Sequence, residues 1–472
     1  MTDFPHRRGF SRRNALLTLG AGAAGAVAAM QSFPAVAQGG GRKLNFLFIM
    51  ADDLGYADLS CYGRREYTTP VLDQLAAQGM RFTSGYANSA VCSPTRIALI
   101  TGRYQYRIRE GLDEPLRGDQ GLDPAHPTLP SLLKAQGYHS ALIGKWHMGG
   151  LPKHGPLQSG YDEFWGNRGG AIDYFSHGSS GDEPDLWDGD VRLEESGYYT
   201  DMLAERSLEY LDARSAEDKP WLLSLHFTAP HWPWQGPGDQ GESDRIAGNL
   251  FHYDGGSMEA YAEMVTALDA AIGRVLARLS ELGMAEDTVV VFTSDNGGER
   301  FSDNWPFTGM KSELLEGGLR VPLIVRWPGV TRAGSTSDVP VLSMDFLPTL
   351  VAAAGGAPHP AFPSDGIDFR PALTGAALPD RPLFWRFGQN DQKAMRFGRY
   401  KYLSIGGNEF LFDVVADPLE RANLKDREAA TFADLRGRFQ AWNGTMLTDP
   451  TARSYGFRPD QLPDHYAPAS SQ

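Results

Sequence analysis

Cysteine is scarce in this sequence: Cys61 and Cys92 are the only two in 472 residues. Two cysteines exclude a disulfide framework, although one bridge between them is possible. No apolar run outside the N-terminus reaches transmembrane length. Cationic side chains are also in the minority, with 44 Lys and Arg against 58 Asp and Glu and a formal net charge of −14. That balance argues against sequence-independent nucleic-acid binding, but a local cationic pocket can still bind a small anion.

By contrast, glycine (54 residues) and proline (31 residues) are abundant, which predicts long, irregular loops of the kind that carry function. The chain is long enough for one large α/β domain and a smaller one. We predict an N-terminal domain over residues 43–357, a Pro-rich linker over 358–382 and a C-terminal subdomain over 383–472. Alternating residues and Gly-containing turns predict antiparallel strands in that subdomain.

Residues 1–37 have the layout of an export signal. Arg12 and Arg13 precede an apolar run rich in Ala and Gly, which ends in a small-x-small pattern at residues 35–37. The paired arginines resemble a twin-arginine signal, the route for proteins that are exported already folded. A basic, disordered N-terminus is the alternative. We therefore expect a periplasmic or secreted protein, exported after folding by the twin-arginine machinery and without a stable membrane anchor.

One stretch, Val-Cys-Ser-Pro-Thr-Arg at residues 91–96, places a lone cysteine beside Ser-Pro and an arginine. Pro94 suits the first turn of a helix, and the apolar residues 97–100 continue that helix. Cys92 is therefore predicted at or just before a helix N-terminus, where backbone N–H groups favour an anion and activate a thiolate. The alternative is a buried cysteine, or one that is bridged to Cys61.

Four apolar runs, at residues 44–50, 140–144, 221–227 and 288–294, are typical of parallel strands buried on both faces. The carboxyl ends of such strands meet at one edge of a sheet, so the polar residues after them should converge. The carboxylate and amide oxygens among these residues would suit Ca²⁺ or Mg²⁺, and no spacing of cysteine or histidine ligands favours zinc. These polar residues are Asp52 and Asp53, Lys145 and His147, His231, and Asp295 and Asn296.

The predicted fold is accordingly α/β, with a large and mostly parallel sheet flanked by helices and a small C-terminal antiparallel sheet. Residues 92–96, followed by Thr-Gly-Arg at 101–103, resemble the signature of type I, formylglycine-dependent sulfatases, Cys-x-Pro-x-Arg and Thr-Gly-Arg. Thr95 stands where many members have Ser or Ala. Residues 413–423 are similar to the family's C-terminal pattern, and the resemblance spans about residues 44–425. It implies an arylsulfatase-like catalytic domain of the alkaline phosphatase superfamily over residues 43–357.

The resemblance also implies the site. A formylglycine-generating maturation enzyme would oxidise Cys92, and the hydrated aldehyde would be the nucleophile. Ca²⁺, with Mg²⁺ as the alternative, would be bound by the modified residue together with Asp52, Asp53, Asp295 and Asn296. The residues implied to surround the sulfate are Arg96, Lys145, His147, His231 and Lys311.

Each of these residues has an implied role in cleaving a sulfate ester. Arg96 would hold the Cys92 diol, while Lys145 and Lys311 would bind the sulfate oxygens. His231, helped by Lys311, would protonate the leaving oxygen. His147 would take a proton from the second hydroxyl, so that sulfate leaves by C–O cleavage and the aldehyde is restored.

Three alternatives stay open from the sequence. A phosphonate or phosphodiester hydrolase of the same superfamily could share the metal and the nucleophile. A two-zinc phosphatase would need acids and histidines where Arg96 and Lys145 stand. A non-enzymatic exported binding protein would not need Cys92 to be modified.

The substrate prediction concerns the loop after Lys145 and His147. Residues 160–177 are rich in Gly and aromatic residues, and Trp232 follows His231 directly. Flat aromatic faces with Asp173 and His177 nearby suit a sugar ring, since its C–H face stacks and its hydroxyls need acceptors. We therefore predict a small sulfated sugar as the substrate, with Asp173, His177 and Trp232 binding it and aryl sulfates acting as surrogates.

Overall fold

Strand β1 (Asn45–Ala51) lies near the middle of a ten-stranded sheet and is buried on both faces in the computed structural model. Phe46, Phe48 and Met50 face one hydrophobic cluster, while Leu47 and Ile49 face another, because successive side chains of a strand alternate. The structure describes residues 43–116, 120–179 and 183–454. The predicted export signal lies outside this part of the chain, and so does the end of the predicted C-terminal subdomain.

The large sheet is parallel in its centre and mixed at its edges. From edge to edge its strands are β11 (Ser335–Ser337), β2 (Met80–Phe82), β10 (Leu323–Arg326), β9 (Thr288–Ser294), β1, β8 (Trp221–His226), β4 (His139–Gly144), β5 (Glu163–Gly166), β6 (Trp187–Asp188) and β7 (Val191–Arg192). Strands β9, β1, β8, β4 and β5 run parallel to one another, whereas β10 pairs antiparallel with both β9 and β2.

Helices cover both faces of this sheet. One face carries α1 (Pro70–Gln78), α4 (Tyr199–Ser215) and α6 (Met258–Glu281). The other carries α2 (Cys92–Thr101), α3 (Leu129–Ala135), α8 (Phe346–Ala353) and α9 (Arg370–Leu373). Two shorter helices, α5 (Gln240–Ile246) and α7 (Glu316–Leu319), lie in loops. Single 3₁₀ turns occur at Ser60–Tyr62, Gln105–Arg107, Arg109–Leu112, Leu157–Ser159, Ala285–Asp287, Ser343–Asp345 and Gln389–Asp391.

A four-stranded antiparallel sheet follows near the C-terminus, as predicted. Its strands are β13 (Leu383–Phe387), β14 (Gln392–Phe397), β15 (Tyr400–Ile405) and β16 (Asn408–Asp413), and helix α10 (Ala429–Asn443) packs on it. Apolar residues of this sheet share one hydrophobic cluster with Cys92 and with Ala98 of α2. A two-strand pair, β3 (Gly85–Tyr86) with β12 (Val341–Leu342), contributes Tyr86 and Leu342 to the same hydrophobic cluster. The C-terminal sheet thus packs against the helix that begins at Cys92.

The sequence missed several short strands. Residues 161–199 contain β5, β6 and β7, which extend the large sheet. Strand β13 lies directly after the Pro-rich stretch and was also not predicted. These strands have two to five residues, too few to establish an alternating pattern. None of the described helices is long and apolar enough to cross a membrane.

Candidate active site

The polar residues that were predicted to follow core strands meet at one edge of the large sheet. Asp52 and Asp53 follow β1, and Asp295 and Asn296 follow β9. Lys145 and His147 follow β4, and His231 lies five residues beyond the end of β8. Strands β9, β1, β8 and β4 are consecutive in the sheet, which brings their loops together. The predicted convergence is therefore confirmed.

Cys92 is the first residue of α2, and only 2% of its surface is exposed. Both cysteines are free, so the structure contradicts the alternative of a bridge between Cys61 and Cys92. Burial raises the pKa of the Cys92 thiol to about 12, although Lys145 acts in the opposite direction. Burial of the unmodified side chain therefore opposes the activation of the thiolate that is expected from the helix N-terminus.

The carboxylates at this edge are buried and paired with cations. Arg96 donates to Asp295 Oδ2 from Nε at 3.0 Å and from Nη2 at 2.8 Å. Lys145 Nζ donates to Asp52 Oδ2. Burial and the nearby Asp295 nevertheless raise the pKa of Asp52 well above its usual value. Such packing of negative charge indicates a place where a further cation would be stabilised.

Two oxygens in this group have no partner within the described part of the chain. They are Asp52 Oδ1 and Asn296 Oδ1, both buried. Asn296 turns its amide nitrogen towards Asp53 Oδ1, at 2.7 Å. Orphaned buried oxygens are costly unless a donor or a metal ion meets them. The residues present therefore fit a hard cation such as Ca²⁺.

The candidate ligand atoms that lie closest together form a related but not identical set. Atoms of Asp52, Asp53, Cys92 and His231 all lie within 4.8 Å of one another. His231 was predicted as an acid and not as a ligand, while Asp295 gives one oxygen to Arg96 and accepts from the Asp53 backbone at 3.3 Å with the other. The predicted ligand set stays a prediction, and its carboxylate and amide oxygens are of the kind that Ca²⁺ binds.

The two histidines are buried beside cations. His231 Nδ1 donates to its neighbour's carbonyl, Trp232 O, at 2.7 Å, which leaves Nε2 facing Asp53 Oδ2 at 3.5 Å. Burial together with Lys311 lowers the pKa of His231 well below its usual value. Burial and Lys145 do the same for the pKa of His147. The surroundings of both rings therefore disfavour the charged imidazolium form.

Lys311 completes the cationic group from a different part of the chain. Its Nζ donates to Asp53 Oδ2 at 2.5 Å. Burial disfavours its charge, but Asp53 and Glu299 raise its pKa well above the usual value. Three cationic side chains, Arg96, Lys145 and Lys311, thus lie among three carboxylates. A bound divalent cation would make this site net positive and suited to an anionic ester.

Two of the predicted substrate ligands are used inside the protein instead. Asp173 Oδ1 accepts from the backbone N–H groups of residues 175 and 176 and from Ser243 Oγ, and Oδ2 accepts from Gln235 Nε2. The ring nitrogens of His177 lie 3.0 Å from the carbonyls of Glu195 and Gly197. Each residue is 1% exposed. The structure therefore gives Asp173 and His177 a role in shaping the loop, which corrects the prediction that they bind substrate.

Trp232, the third predicted substrate ligand, has a different environment. Its ring is half-buried and lies with its centroid 4.2 Å from that of His231 and 5.0 Å from that of Phe251. Lys311 Nζ is 5.8 Å from the same centroid. This places an aromatic surface next to His231 and Lys311, which are predicted to act as the acid and to bind sulfate, and the role of Trp232 stays a prediction.

Sequence reasoning did not single out Gly170, which contacts a site residue. A Cβ placed on Gly170 would lie 2.5 Å from His147 Cε1 and 2.7 Å from His147 Nε2. The ring of His147 therefore occupies the space that any other residue would fill. The signal available was the Gly-Gly pair at residues 169–170, since glycine inside ordered structure often marks a close approach.

The comparisons with known proteins agree with this geometry. The family model described as Sulfatase matches residues 44–357. The chain is 34% identical over 411 residues to human arylsulfatase A, covering 80% of this chain and 78% of that protein. It is 32% identical over 396 residues to N-acetylgalactosamine-6-sulfatase of Canis lupus familiaris, covering 77% and 72%. A crystal structure of Ps i-CgsB in complex with k-i-k-neocarrahexaose matches with a TM-score of 0.80 at 28% identity, covering 91% of this chain and 98% of that one.

Proposed function

The chain belongs to the sulfatase family and is a sulfuric ester hydrolase, and we propose that it cleaves sulfate monoesters by means of a formylglycine made from Cys92 and a bound calcium ion. The observation that carries this proposal is the placement of Cys92. It lies at the start of α2 and is buried beside the charged residues that follow the core strands. As a thiol with a pKa of about 12 it is a poor nucleophile at neutral pH.

Calcium would be held by Asp52, Asp53, Asp295 and Asn296 together with the modified residue 92. The orphaned oxygens of Asp52 and Asn296 support this assignment. The ion would supply Lewis-acid polarisation and positive charge next to the nucleophile. A hydrated aldehyde at residue 92 would supply two hydroxyls, one to attack sulfur and one whose proton is removed when sulfate is released.

The chain's own residues bind the ester and move the protons. Lys145 and Lys311 bind the sulfate oxygens, and each already pairs with a carboxylate of the site. Arg96 holds the residue-92 side chain while fixed to Asp295. His231, whose Nδ1 is committed to the Trp232 carbonyl, takes up a proton at Nε2 from Lys311 and passes it to the leaving oxygen. His147, whose Nδ1 is buried without a partner, accepts the proton that accompanies release of sulfate.

The experiment is mass spectrometry of the Cys92 peptide from protein made together with a formylglycine-generating enzyme. An aldehyde should replace the thiol, and an aldehyde-reactive probe should label the wild type but not Cys92→Ala. Active protein that carries an unmodified thiol throughout would refute the proposal. Kinetics on sulfate, phosphate and phosphonate esters of the same alcohol separate a sulfatase from the related phosphonate or phosphodiester hydrolase.

The natural substrate is proposed to be a small sulfated sugar. Two relatives support this: N-acetylgalactosamine-6-sulfatase by its name, and Ps i-CgsB, which was crystallised with a neocarrahexaose. The aromatic surface of Trp232 beside His231 would stack on the sugar. Trp232→Ala should lower kcat/KM about 10-fold or more on a sulfated sugar and change little on a simple aryl sulfate. Equal losses on both would assign Trp232 to the support of His231 and favour a strict arylsulfatase.

The localisation is proposed to be periplasmic or secreted, with export after folding. The paired Arg12 and Arg13 before an apolar run support it, and so does a cysteine that would need modification before export. Replacing both arginines with lysine should retain the enzyme, with its aldehyde already formed, in the cytoplasm. Unchanged export of that variant would argue for a different route.

A further inference from the structure

The loop that carries Lys311 is held by a side chain from the C-terminal sheet. Gln392 is the first residue of β14 and is 3% exposed. Its Oε1 accepts from the Leu314 backbone N–H at 2.8 Å, and its Nε2 donates to the Ser312 carbonyl at 2.8 Å. One amide side chain thus takes both hydrogen-bonding positions that a neighbouring strand would offer to residues 312–314.

The residue next to Lys311 is in a strained conformation. Ser312 has φ 71°, a left-handed value that a residue with a Cβ adopts rarely and at an energetic cost. Its N–H donates to the Ala90 carbonyl at 2.8 Å, two residues before Cys92. Its carbonyl is the group that Gln392 binds. Both peptide groups of Ser312 are therefore fixed, one by the segment leading to Cys92 and the other by the C-terminal sheet.

This conformation sets the direction in which Lys311 points. The Lys311 N–H donates to the Gly298 carbonyl at 3.1 Å, close to the loop of Asp295 and Asn296. Its Nζ reaches Asp53 Oδ2 at 2.5 Å. If Ser312 relaxed to a common backbone conformation, the peptide group that follows Lys311 would rotate and the side chain would leave this position.

We propose that Gln392 is a positioning residue for Lys311: it holds Ser312 in its strained conformation and so keeps the ammonium group directed into the active site. The proposal rests on the role given to Lys311 in sulfate binding and proton transfer. It makes the C-terminal sheet part of the catalytic apparatus and not only a cover for the hydrophobic cluster. It also gives a physical reason for the burial of a glutamine among apolar residues of β14.

Two variants test this. Gln392→Glu keeps the volume and the acceptor for Leu314 but removes the donor to the Ser312 carbonyl. Gln392→Met keeps the length and removes both hydrogen bonds, together with a longer one of 3.2 Å to the Gln389 carbonyl. Gln440→Met, an exposed glutamine of α10, is the matched control. Each variant is made in the wild type and in a Lys311→Ala background, and rates are normalised to folded, aldehyde-containing protein.

In the wild-type background, either Gln392 variant should lower kcat/KM about 10- to 100-fold, as expected for a displaced catalytic group. The loss should be larger on esters with poor leaving groups, as for Lys311→Ala. In the Lys311→Ala background the same variants should cause no further loss, because Gln392 acts only through Lys311.

The result that would overturn the proposal is an equal loss in both backgrounds, or full activity of both Gln392 variants in the wild type. Lys311→Ala alone reports on the premise. If it retains wild-type rates on all esters, the proposed role of Lys311 fails, and the positioning role of Gln392 falls with it. If Lys311→Ala is impaired but the Gln392 variants are merely additive, only the positioning role fails.

Discussion

Two groups of buried charged residues in this chain are built differently. The site cluster consists of Asp52, Asp53, Asp295 and Asn296 with the cations Arg96, Lys145 and Lys311. The interface cluster lies between the large sheet and the C-terminal sheet and consists of Tyr86, Glu316, Arg320, Arg396, Lys401 and Glu420. Both clusters are almost fully buried. Burial of charge therefore does not by itself mark the functional one.

The difference lies in which polar atoms are satisfied. In the interface cluster, Glu316 Oε1 accepts from Lys401 Nζ at 2.9 Å, and Oε2 accepts from Tyr86 OH and Arg320 Nε, each at 2.5 Å. Lys401 and the neighbouring arginines lower the pKa of Glu316 despite its burial. In the site cluster, oxygens of Asp52 and Asn296 have no partner and the pKa of Asp52 is raised. The interface cluster is thus paired internally through Lys401, which also lies 3.0 Å from Glu420 Oε1, although burial raises the pKa of Glu420 to about 7. The site cluster instead leaves two buried oxygens that a ligand could meet.

The largest expected effect is on the site cluster. Asp52→Ala and removal of calcium by a chelator should each lower activity about 1,000-fold, since a metal ion and its ligand stabilise developing charge in the transition state. Calcium at 100 times its Kd should stabilise the wild type by about 2.7 kcal/mol, which thermal unfolding measures. Asp52→Ala should lose that response. Full activity of a metal-free preparation would contradict the assignment.

The second effect concerns proton transfer by His231, which lies beside the site cluster. His231→Ala should slow esters of poor leaving groups about 100- to 10,000-fold and activated phenol esters far less, because a general acid matters most when the departing oxygen is basic. A plot of log kcat/KM against leaving-group pKa measures this. A parallel loss across the series would assign His231 to sulfate or metal binding; its Nε2 lies 3.5 Å from Asp53 Oδ2.

The interface cluster should respond in stability and not in calcium binding. Lys401→Met leaves Glu316 and Glu420 buried without their shared cation, which costs about 3–5 kcal/mol. Denaturant unfolding with calcium present measures the loss. The calcium-dependent stabilisation should stay as in the wild type, which is the control that separates the two clusters. A variant as stable as the wild type would show that the remaining arginines satisfy both carboxylates.

Long apolar runs made the central fold predictable. The run at residues 288–294 became β9 with the predicted bounds, and the polar residues after β1, β4, β8 and β9 converged as expected. Each run was long enough to be recognised as a strand, and parallel strands bring their carboxyl ends to one edge of the sheet. Lys311 follows no such strand, and it was identified only through the family resemblance.

The sequence does not show which distant residues form hydrogen bonds with each polar side chain. Asp173 was predicted to bind sugar because of its neighbours in sequence, but its carboxylate is taken by Ser243 and Gln235, about 60 to 70 residues away. Gln392 likewise belongs to none of the motifs described above, and its hydrogen bond to Ser312 spans 80 residues. Such long-range hydrogen bonds depend on side-chain packing and leave no local pattern.

A third kind of buried carboxylate sharpens the comparison. Glu114 accepts from the Gly388 N–H and from Ser454 Oγ, both uncharged donors, and no ion pair to it is found among the described residues. Burial raises its pKa to about 7 from 4.5. The native state therefore binds more protons than the unfolded state between these values, so Glu114 makes stability fall as pH rises from about 4.5 to about 7.

Glu114→Gln should remove this dependence. The stability of the variant relative to the wild type should increase by about 3 kcal/mol between pH 4.5 and pH 8, since one pKa unit corresponds to 1.36 kcal/mol. Urea unfolding at several pH values, with calcium present, gives the difference. Glu66→Gln is the exposed control and should not reproduce it, because burial of Glu66 is slight. A difference that does not change with pH would show that Glu114 is ionised in the native protein.

The smallest expected effect comes from a residue without a side chain. Gly170 lets the ring of His147 approach its Cα, and an added Cβ would lie 2.5 Å from His147 Cε1. Gly170→Ala should therefore turn the ring away from the site and lower kcat about 10-fold, or about 1.4 kcal/mol. Gly150→Ala is the matched control, because a Cβ at that position meets no atom within 4 Å. Because His147 is proposed to act on release of sulfate, covalent sulfated enzyme should accumulate in Gly170→Ala during turnover, and mass spectrometry of quenched enzyme would detect it. If the first turnover of Gly170→Ala is slow and no sulfated enzyme accumulates, His147 would instead act in the attack on sulfur.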